Sequence, residues 1–436
     1  MFEKLILKIK NKIWFIPGIY SFIALILSII AIIIDTTFSS TFKEFIPSFL
    51  LTSVDLAKTI LSTLAASLIT MITITFSTIM VVLTTYSSQY SPRTLQDFLN
   101  EKTTLRVLGV FMGSFIYFVV SLLFMREAYQ DQLVFSAFLA VVISIVCLAF
   151  FVFFIHHVST SIQVNKLIHK ISLESIHLID SLNNRIKSND SITSSPKQYI
   201  ENSDIIIELF SDKSGYIQLI DTSALVIKAE ELNISIKMEK KVGEFVLEGT
   251  KLMTIYSDNS INSTKEILKY ITIGRYRSMI QDIEFGIQKI VDVALRAISP
   301  GINDPNTAIH CIKRLSLILS SISLTDIHIG YYHDKEDILR LRMKYPDFDD
   351  LLYQGFHQIR FYSNGDASVL SAIIDSLILI SENNLNVSGK IWDFANYIIG
   401  GFDDSKLQPM DKSYINSKIK RLADLTDKNQ NTLIFK

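Results

Sequence analysis

The sequence predicts an α-helical polytopic membrane protein with four transmembrane helices and a cytosolic α+β region. Three observations predict it. Four apolar runs, Ile13–Ile34, Leu56–Tyr86, Leu105–Met125 and Leu133–Ile155, each reach the roughly 20 residues that crossing a bilayer takes. No charged side chain lies between Lys58 and Arg93. Beyond His156 the apolar runs shorten, and strand-like and then helical patterns replace them.

The 436 residues suffice for several domains, and the formal net charge of −1 carries no field that would draw nucleic acid or acidic substrates. Cys147 and Cys311 lie far apart and have no Cys or His partner at metal spacing, which fits reduced thiols in an intracellular setting.

The first span follows Lys4, Lys8, Lys10 and Lys12. Its apolar stretch exceeds that of a signal peptide and no small-x-small cleavage site follows, so it reads as a retained anchor. The segment Phe42–Val54, interrupted by Pro47, reads as a short interfacial helix or loop. The second span, helical from about 56 to 90, would be about 45–50 Å long, which exceeds the hydrocarbon core. Ser91-Pro92 ends it and starts a short helix whose apolar face is Leu95, Phe98 and Leu99. Spans three and four cover about 105–125 and 133–155. Basic residues gather at the N-terminus, between spans two and three (Arg93, Lys102, Arg106), and after span four (Lys166, Lys170, Arg185, Lys187). Both termini are therefore expected in the cytoplasm of a bacterial inner-membrane protein.

Four regions follow: a transmembrane domain at 1–155, a helical stalk and linker at 156–195, a small β-domain at 196–262, and a helical cytosolic domain at 263–436. In the β-domain, strands are expected at Tyr216–Ile220, Ala224–Ile227, Asn233–Lys237, Glu244–Val246 and Lys251–Tyr256. Lys241–Leu252 resembles the hairpin of lipoyl- and biotinyl-type barrel-sandwich domains, although Lys237-Met238-Glu239 lies too close to Gly243 to be a modified tip. Cofactor attachment is not expected. Helices follow around Ile280–Ile298, from Pro305, and at Asp334–Tyr345, Phe348–Tyr362, Asp366–Asn383, Val387–Ile399 and Asp411–Asp427.

Three passages carry a family resemblance. They are Phe76–Leu83 through Ser87–Arg93, then Gly215–Asp221, then Asp282–Ile287 through Ser299-Pro-Gly-Ile-Asn-Asp-Pro305 and Thr307-Ala308. Together they resemble the bacterial predicted membrane proteins grouped as domain of unknown function 2254. The resemblance implies an integral membrane protein with a cytosolic region and implies no activity.

Functional reasoning therefore rests on residues, and the second span offers the most. Thr59, Thr63, Ser67, Thr70, Thr73, Ser77, Thr84 and Ser88 share one face about 120° wide. The opposite face is Leu61, Ala65, Leu68, Ile72, Phe76, Ile79 and Leu83. One reading lines a wet path in an oligomer with these hydroxyls; the other uses them to pack helices. Ile74 and Val81 interrupt the face and would form an apolar gate in a pore. Asp55, Lys58, Arg93 and Asp97 would become charge rings at its mouths or serve as membrane-edge anchors. The span has no midplane carboxylate, which favours a channel over a carrier.

Ser299, Pro300, Gly301, Asn303, Asp304 and Pro305 read as a helix stop, cap and restart, with Asn303 most free for another role. The histidines are scattered, and no zincin, phosphate-loop or nucleophile-elbow motif occurs. The resulting expectation is a homo-oligomeric, ion-conducting channel in the lipid bilayer, not an enzyme, without metal or cofactor and without nucleic acid. The alternative is a membrane-anchored scaffold or sensor whose cytosolic domain binds a partner.

Overall fold

The computed structural model describes residues 14–37, 47, 50–85, 88, 93, 102–125, 133–161, 163–187, 192–193, 205–258, 265–325, 329–363, 365–428 and 434–435. The chain forms two units, Met1–Gln163 and Val164–Lys436.

The first unit contains α1 (Phe15–Thr37), α2 (Val54–Thr85), α3 (Lys102–Phe124) and α4 (Ser136–Ser161). All four are long and apolar enough to cross a membrane. The interfacial helix expected after Pro92 and most of Phe42–Val54 lie outside the described residues. The α2 helix has 32 residues, or about 48 Å at 1.5 Å per residue, and thus exceeds a bilayer core of roughly 30 Å.

α1 and α3 meet through Gly109 and Gly113. A Cβ on Gly109 would stand 2.9 Å from the Tyr20 ring, and one on Gly113 would stand 2.9 Å from the Tyr20 carbonyl oxygen. Small residues four apart let two helix backbones approach closely. At the other end of the unit, β1 (Thr52–Ser53) pairs antiparallel with β2 (Leu133–Val134). Beside them, Asp35 at the end of α1 accepts the Phe135 N–H at 2.7 Å and the Ser136 N–H at 3.3 Å, capping α4 across a hundred residues of chain. The Tyr117 hydroxyl donates to the Ser136 carbonyl at 3.0 Å. This end is thereby fixed by hydrogen bonds from α1, α3 and α4.

The second unit begins with α5 (Val164–Lys187). The expected stalk is thus two helices with a break near Gln163, and α5 is no free stalk. Its apolar stripe, Leu167, Ile168, Ile171 and Ile179, is buried, and the helix packs on α7 (Ile283–Ala297) and α8 (Pro305–Ser323). The expected linker at 188–195 contains β3 (Ile192–Thr193), which pairs with β10 (Ile329–His333).

Two sheets share one apolar core. The larger has the order β3-β10-β11-β6-β8-β4, with β4 at Ile205–Phe210, β6 at Ile234–Met238, β8 at Lys251–Ser257 and β11 at Leu339–Lys344. The smaller has the order β7-β5-β9, with β5 at Gly215–Ile220, β7 at Phe245–Val246 and β9 at Ile271–Gly274. Ile217 and Val246 from the small sheet join Ile236, Met253 and Leu341 from the large one in the core.

Three expectations are corrected here. Ala224–Ile227 is not a strand; it lies in α6 (Thr222–Leu232), where Asp221 caps the helix by accepting the Ala224 N–H at 3.1 Å. The cap outweighs the β-propensity of a short Leu-Val-Ile run. The Lys241–Leu252 stretch is not one hairpin, because β7 pairs with β5 while β8 pairs with β4 and β6. Asp334–Tyr345 is not a helix. It is a turn followed by β11, in which Leu339, Leu341 and Met343 alternate into the core. β11 pairs parallel with β6 at Leu341↔Ile236, so the sheet runs across the sequence division expected at 262/263.

The hairpin β10–β11 is anchored by a buried ion pair. Arg340 donates to Asp334 at 2.6 Å and to the Asn233 side chain at 3.0 Å, and Asp334 also accepts the Glu336 and Ile338 N–H groups at 2.9 Å. Burial alone would raise the Asp334 pKa; these donors and the Arg340 charge outweigh it and hold it below the usual value. Helices α7 and α8, then α9 (Phe348–Tyr362), α10 (Ala367–Asn383), α11 (Ser388–Gly400) and α12 (Pro409–Thr426), complete the unit close to their expected ranges.

Candidate functional site

The α2 helix buries Val54, Ala57, Leu61, Ala65, Leu68, Thr75 and Val82. This face packs against α3 and α4. Leu61, Ala65 and Leu68 fall where expected, and Ile72, Ile79 and Leu83 are half-buried. Phe76 does not belong to this face: it is 55% exposed. At 100° per residue it stands about 80° from Leu68, whereas Thr75 stands only about 20° from it. Thr75 is accordingly buried.

Thr59, Thr63, Ser67, Thr70, Thr73, Ser77, Thr84 and Ser88 are all exposed. Within one protomer the hydroxyl face is therefore turned away from α3 and α4. Six of these hydroxyls donate to the carbonyl one turn back: Thr59 to Asp55 (3.0 Å), Thr63 to Thr59 (2.8 Å), Ser67 to Thr63 (2.8 Å), Thr70 to Ala66 (3.4 Å), Thr73 to Ile69 (2.9 Å) and Thr84 to Met80 (2.9 Å). Ser88 donates to Thr85 at 3.3 Å. Each such hydroxyl has spent its proton on its own helix and presents lone pairs outward. The face can therefore accept hydrogen bonds from water or coordinate a cation weakly, and its methyl groups tolerate lipid.

Ile74 and Val81 lie on the same arc and are 46% and 64% exposed. With Ala66, which is also exposed on this arc, they form apolar interruptions of the hydroxylated surface. Asp55 is exposed in the first turn of α2, where a carboxylate complements the helix dipole; Lys58 is half-buried one turn on. Arg93 is exposed, and Asp97 lies outside the described residues.

The turn at 299–305 does what a stop and restart requires. The Ser299 carbonyl accepts the Ile302 N–H at 3.0 Å and the Asn303 N–H at 2.9 Å, and the Ser299 hydroxyl donates to Arg296 at 2.6 Å. Pro300 and Gly301 form its exposed tip. Asn303 adopts φ +50°, a left-handed conformation that Asn accepts more readily than most residues, which explains its presence. Asp304 caps α8 by accepting the Thr307 N–H at 3.1 Å and the Thr307 hydroxyl at 2.6 Å, and Pro305 opens the helix. These hydrogen bonds hold the Asp304 pKa below the usual carboxylate value. The carboxylate occupies the helix N-terminus, where an anion would otherwise sit.

Sequence reasoning missed Asp35 and the Gly109/Gly113 pair. The glycines carried a legible signal, small-x-x-x-small inside an apolar run. Asp35 carried none, because its partners are the backbone of Phe135 and Ser136. Reasoning from sequence also missed the ion network around α7. Arg277 donates to both Asp282 oxygens, at 2.5 and 3.0 Å, and to Glu284 at 3.2 Å, while Lys241 pairs with Glu284 at 2.5 Å. Asp282 also caps α7 through the Phe285 N–H at 2.9 Å. Gly243 permits this closeness: at φ +87°, a Cβ there would stand 2.2 Å from the Asp282 carboxylate. Both cysteines are buried and free.

No solved structure matches the chain. An uncharacterised protein of Mycobacterium bovis and one of Mycobacterium tuberculosis are each 29% identical to it over 345 residues. The match covers 77% of this chain but only 66% of each relative, so the chain spans just under two thirds of their length. Residues 10–378 match the family described as predicted membrane protein, domain of unknown function 2254. With four apolar helices and a match across most of its length, the chain belongs to that family of predicted membrane proteins.

Proposed function

We propose that the chain is one subunit of a homo-oligomeric, ion-conducting channel in the bacterial inner membrane, lined by the hydroxyl face of α2. The observation that carries this reading is the outward position of that face. Thr59, Thr63, Ser67, Thr70, Thr73, Ser77, Thr84 and Ser88 are exposed in the protomer, while the other side of α2 is packed. In a ring of copies such faces converge on an axis. The lone pairs left by the i−4 hydrogen bonds then supply a wettable wall. Ile74 and Val81 would form rings that gate by dewetting, with Asp55 and Lys58 near one mouth and Arg93 and Asp97 near the other. The gathering of basic residues at the N-terminus, between α2 and α3 and after α4 supports a reading with both termini and the second unit in the cytoplasm. There the second unit assembles the subunits or senses a signal, and no catalytic step is assigned to the protein.

One observation favours the alternative, a membrane-anchored scaffold or sensor. The same i−4 hydrogen bonds satisfy the hydroxyl donors without water, so the stripe can face lipid or another helix in a dry contact. Cysteine scanning separates the two. The channel reading expects Thr63→Cys, Thr70→Cys, Ser77→Cys and Thr84→Cys to react with a water-soluble thiol reagent in liposome-reconstituted protein, each blocking ion flux. The native Cys147 and Cys311 are buried, which keeps the background low. Four unreactive positions, or a monomer in mild detergent by light scattering, overturn the channel.

A further inference from the structure

Within the second unit, α5 and α8 run side by side in the same direction. At their starts His169 and His310 lie close enough for their charges to interact. At their ends the Thr325 hydroxyl, just past α8, donates to the Asn183 side chain at 2.6 Å. The first halves of the two helices therefore share one surface. It gathers Lys166, His169 and Lys170 from α5 with His310, Lys313 and Arg314 from α8. Lys166, Lys170 and Lys313 are exposed, and Arg314 is half-buried. No carboxylate occurs in α5 before Glu174, nor anywhere in α8. Asp304, ahead of α8, is occupied by its cap, and Asp375, which lines a groove with Lys313, is paired with Lys418. Among the described residues no ion pair neutralises Lys166, Lys170, Lys313 or Arg314. His310 reports the resulting field: burial first, then Arg314, Lys313 and His169, hold its pKa below the usual value. Lys166 also stands in the first turn of α5, where the helix dipole disfavours a cation. Folding thus brings like charges together from two distant segments and leaves them without counter-charge.

We propose that this surface docks on the anionic headgroups of the bilayer that the spans cross. Two observations select a lipid surface as the partner. The first is the chain itself: α5 begins at Val164, three residues after α4 ends at Ser161, a reach of at most about 11 Å. α4 is long and apolar enough to cross a membrane, so the start of α5 is held near the headgroups. The second is the mixture of side chains. Leu173 and Leu317 are each 47% exposed, and each lies one turn beyond a lysine of the cluster. Cations interleaved with exposed apolar side chains suit the boundary between headgroups and acyl chains. Clusters of about four to eight Lys or Arg beside a span bind anionic lipid, at about fivefold in affinity per residue. Lipid charge would then act on the second unit directly. The inference rests on the membrane placement of the spans and not on conduction.

The test places a bimane fluorophore on Leu317→Cys in the full chain, reconstituted in nanodiscs that carry a nitroxide-headgroup lipid as quencher. Cys147 and Cys311 are buried, which keeps the label at one site. Discs of phosphatidylglycerol with phosphatidylcholine are compared with discs of phosphatidylcholine alone. The expected result is strong quenching in the anionic discs and weak quenching in the zwitterionic ones. Quenching in the anionic discs should be lost in about 1 M salt, where the screening length falls to about 3 Å. Adding Lys313→Gln and Arg314→Gln should lower the docked-to-free ratio about 25-fold, as two steps of about fivefold. Those two residues lie far beyond the last span in sequence, so a role confined to anchoring α4 would not respond to them. Quenching that is absent from both discs or equal in both, that survives high salt, or that ignores the Lys313 and Arg314 changes would each overturn the proposal. The lipid and salt comparisons need no charge variant, so they stand even where that variant folds poorly. Both leaflets of a disc have the same composition and no current is read, so failure here and failure of the channel are separate outcomes.

Discussion

Replacing Arg277 with alanine should unfold the second unit at a markedly lower temperature. In the native fold its guanidinium neutralises two carboxylates that are almost out of solvent: the side chain of Asp282 is 2% exposed and that of Glu284 is 7% exposed. Among the described residues, removing the cation leaves Glu284 with Lys241 but Asp282 with only the Phe285 N–H. Breaking a buried ion pair from one side costs about 3–5 kcal/mol. At roughly 2–4 °C per kcal/mol for a unit of this size, the melting temperature should fall by about 6–20 °C. Arg277→Lys should lie between, since it keeps the charge and loses the fork. The pH dependence has a definite sign. Burial raises the Asp282 pKa, against the pull of Arg277. A carboxylate whose folded pKa is raised weakens the fold as pH climbs from 3.8 through the folded value. Losing Arg277 raises that pKa further, so the mutant's deficit should be full at neutral pH and shrink on acidification. Differential scanning fluorimetry of detergent-purified protein between pH 5 and 8 reads both effects. A fall under about 2 °C at neutral pH, or a deficit that grows on acidification, would refute the reasoning.

Three further outcomes follow from the same structure. Arg340→Ala should cost about 3–5 kcal/mol by stranding Asp334, seen as faster hydrogen exchange in β10 and β11. Because the Asp334 pKa is lowered, its stabilisation is complete above 3.8 and is lost as pH falls through the folded value. Asn303→Val should lower stability by about 1–2 kcal/mol, because φ +50° is hostile to a β-branched residue, whereas Asn303→Gly should be nearly neutral; denaturant midpoints compare the two. Thr63→Val should leave stability within the roughly 0.5 kcal/mol typical of surface changes, read from thermal unfolding, because the lost hydroxyl bonds its own helix; a larger fall would show that the face has another partner.

Much of the architecture was legible because it is written locally. The spans follow from hydropathy, and the Ser299–Pro305 turn follows from Pro at a helix start and Asp before it. The exposure of Thr59 through Ser88 follows from 3.6-residue periodicity. Phe76 shows the limit of hydropathy: its apolar character assigned it inward, whereas the 100° step sets it about 80° from Leu68 and sets Thr75 about 20° from it, and the structure exposes Phe76 and buries Thr75.

The sequence by itself determined four apolar helices, one hydroxylated face, the Asp304 cap and the approximate ranges of α7 to α12, because hydropathy, periodicity and capping act within a few residues. The tertiary structure alone decided the parallel pairing of β11 with β6, the capping of α4 by Asp35 and the Arg277–Asp282–Glu284–Lys241 network. Each joins residues distant in the chain or separate elements of the fold. Their chemistry exists only once folding has desolvated them together.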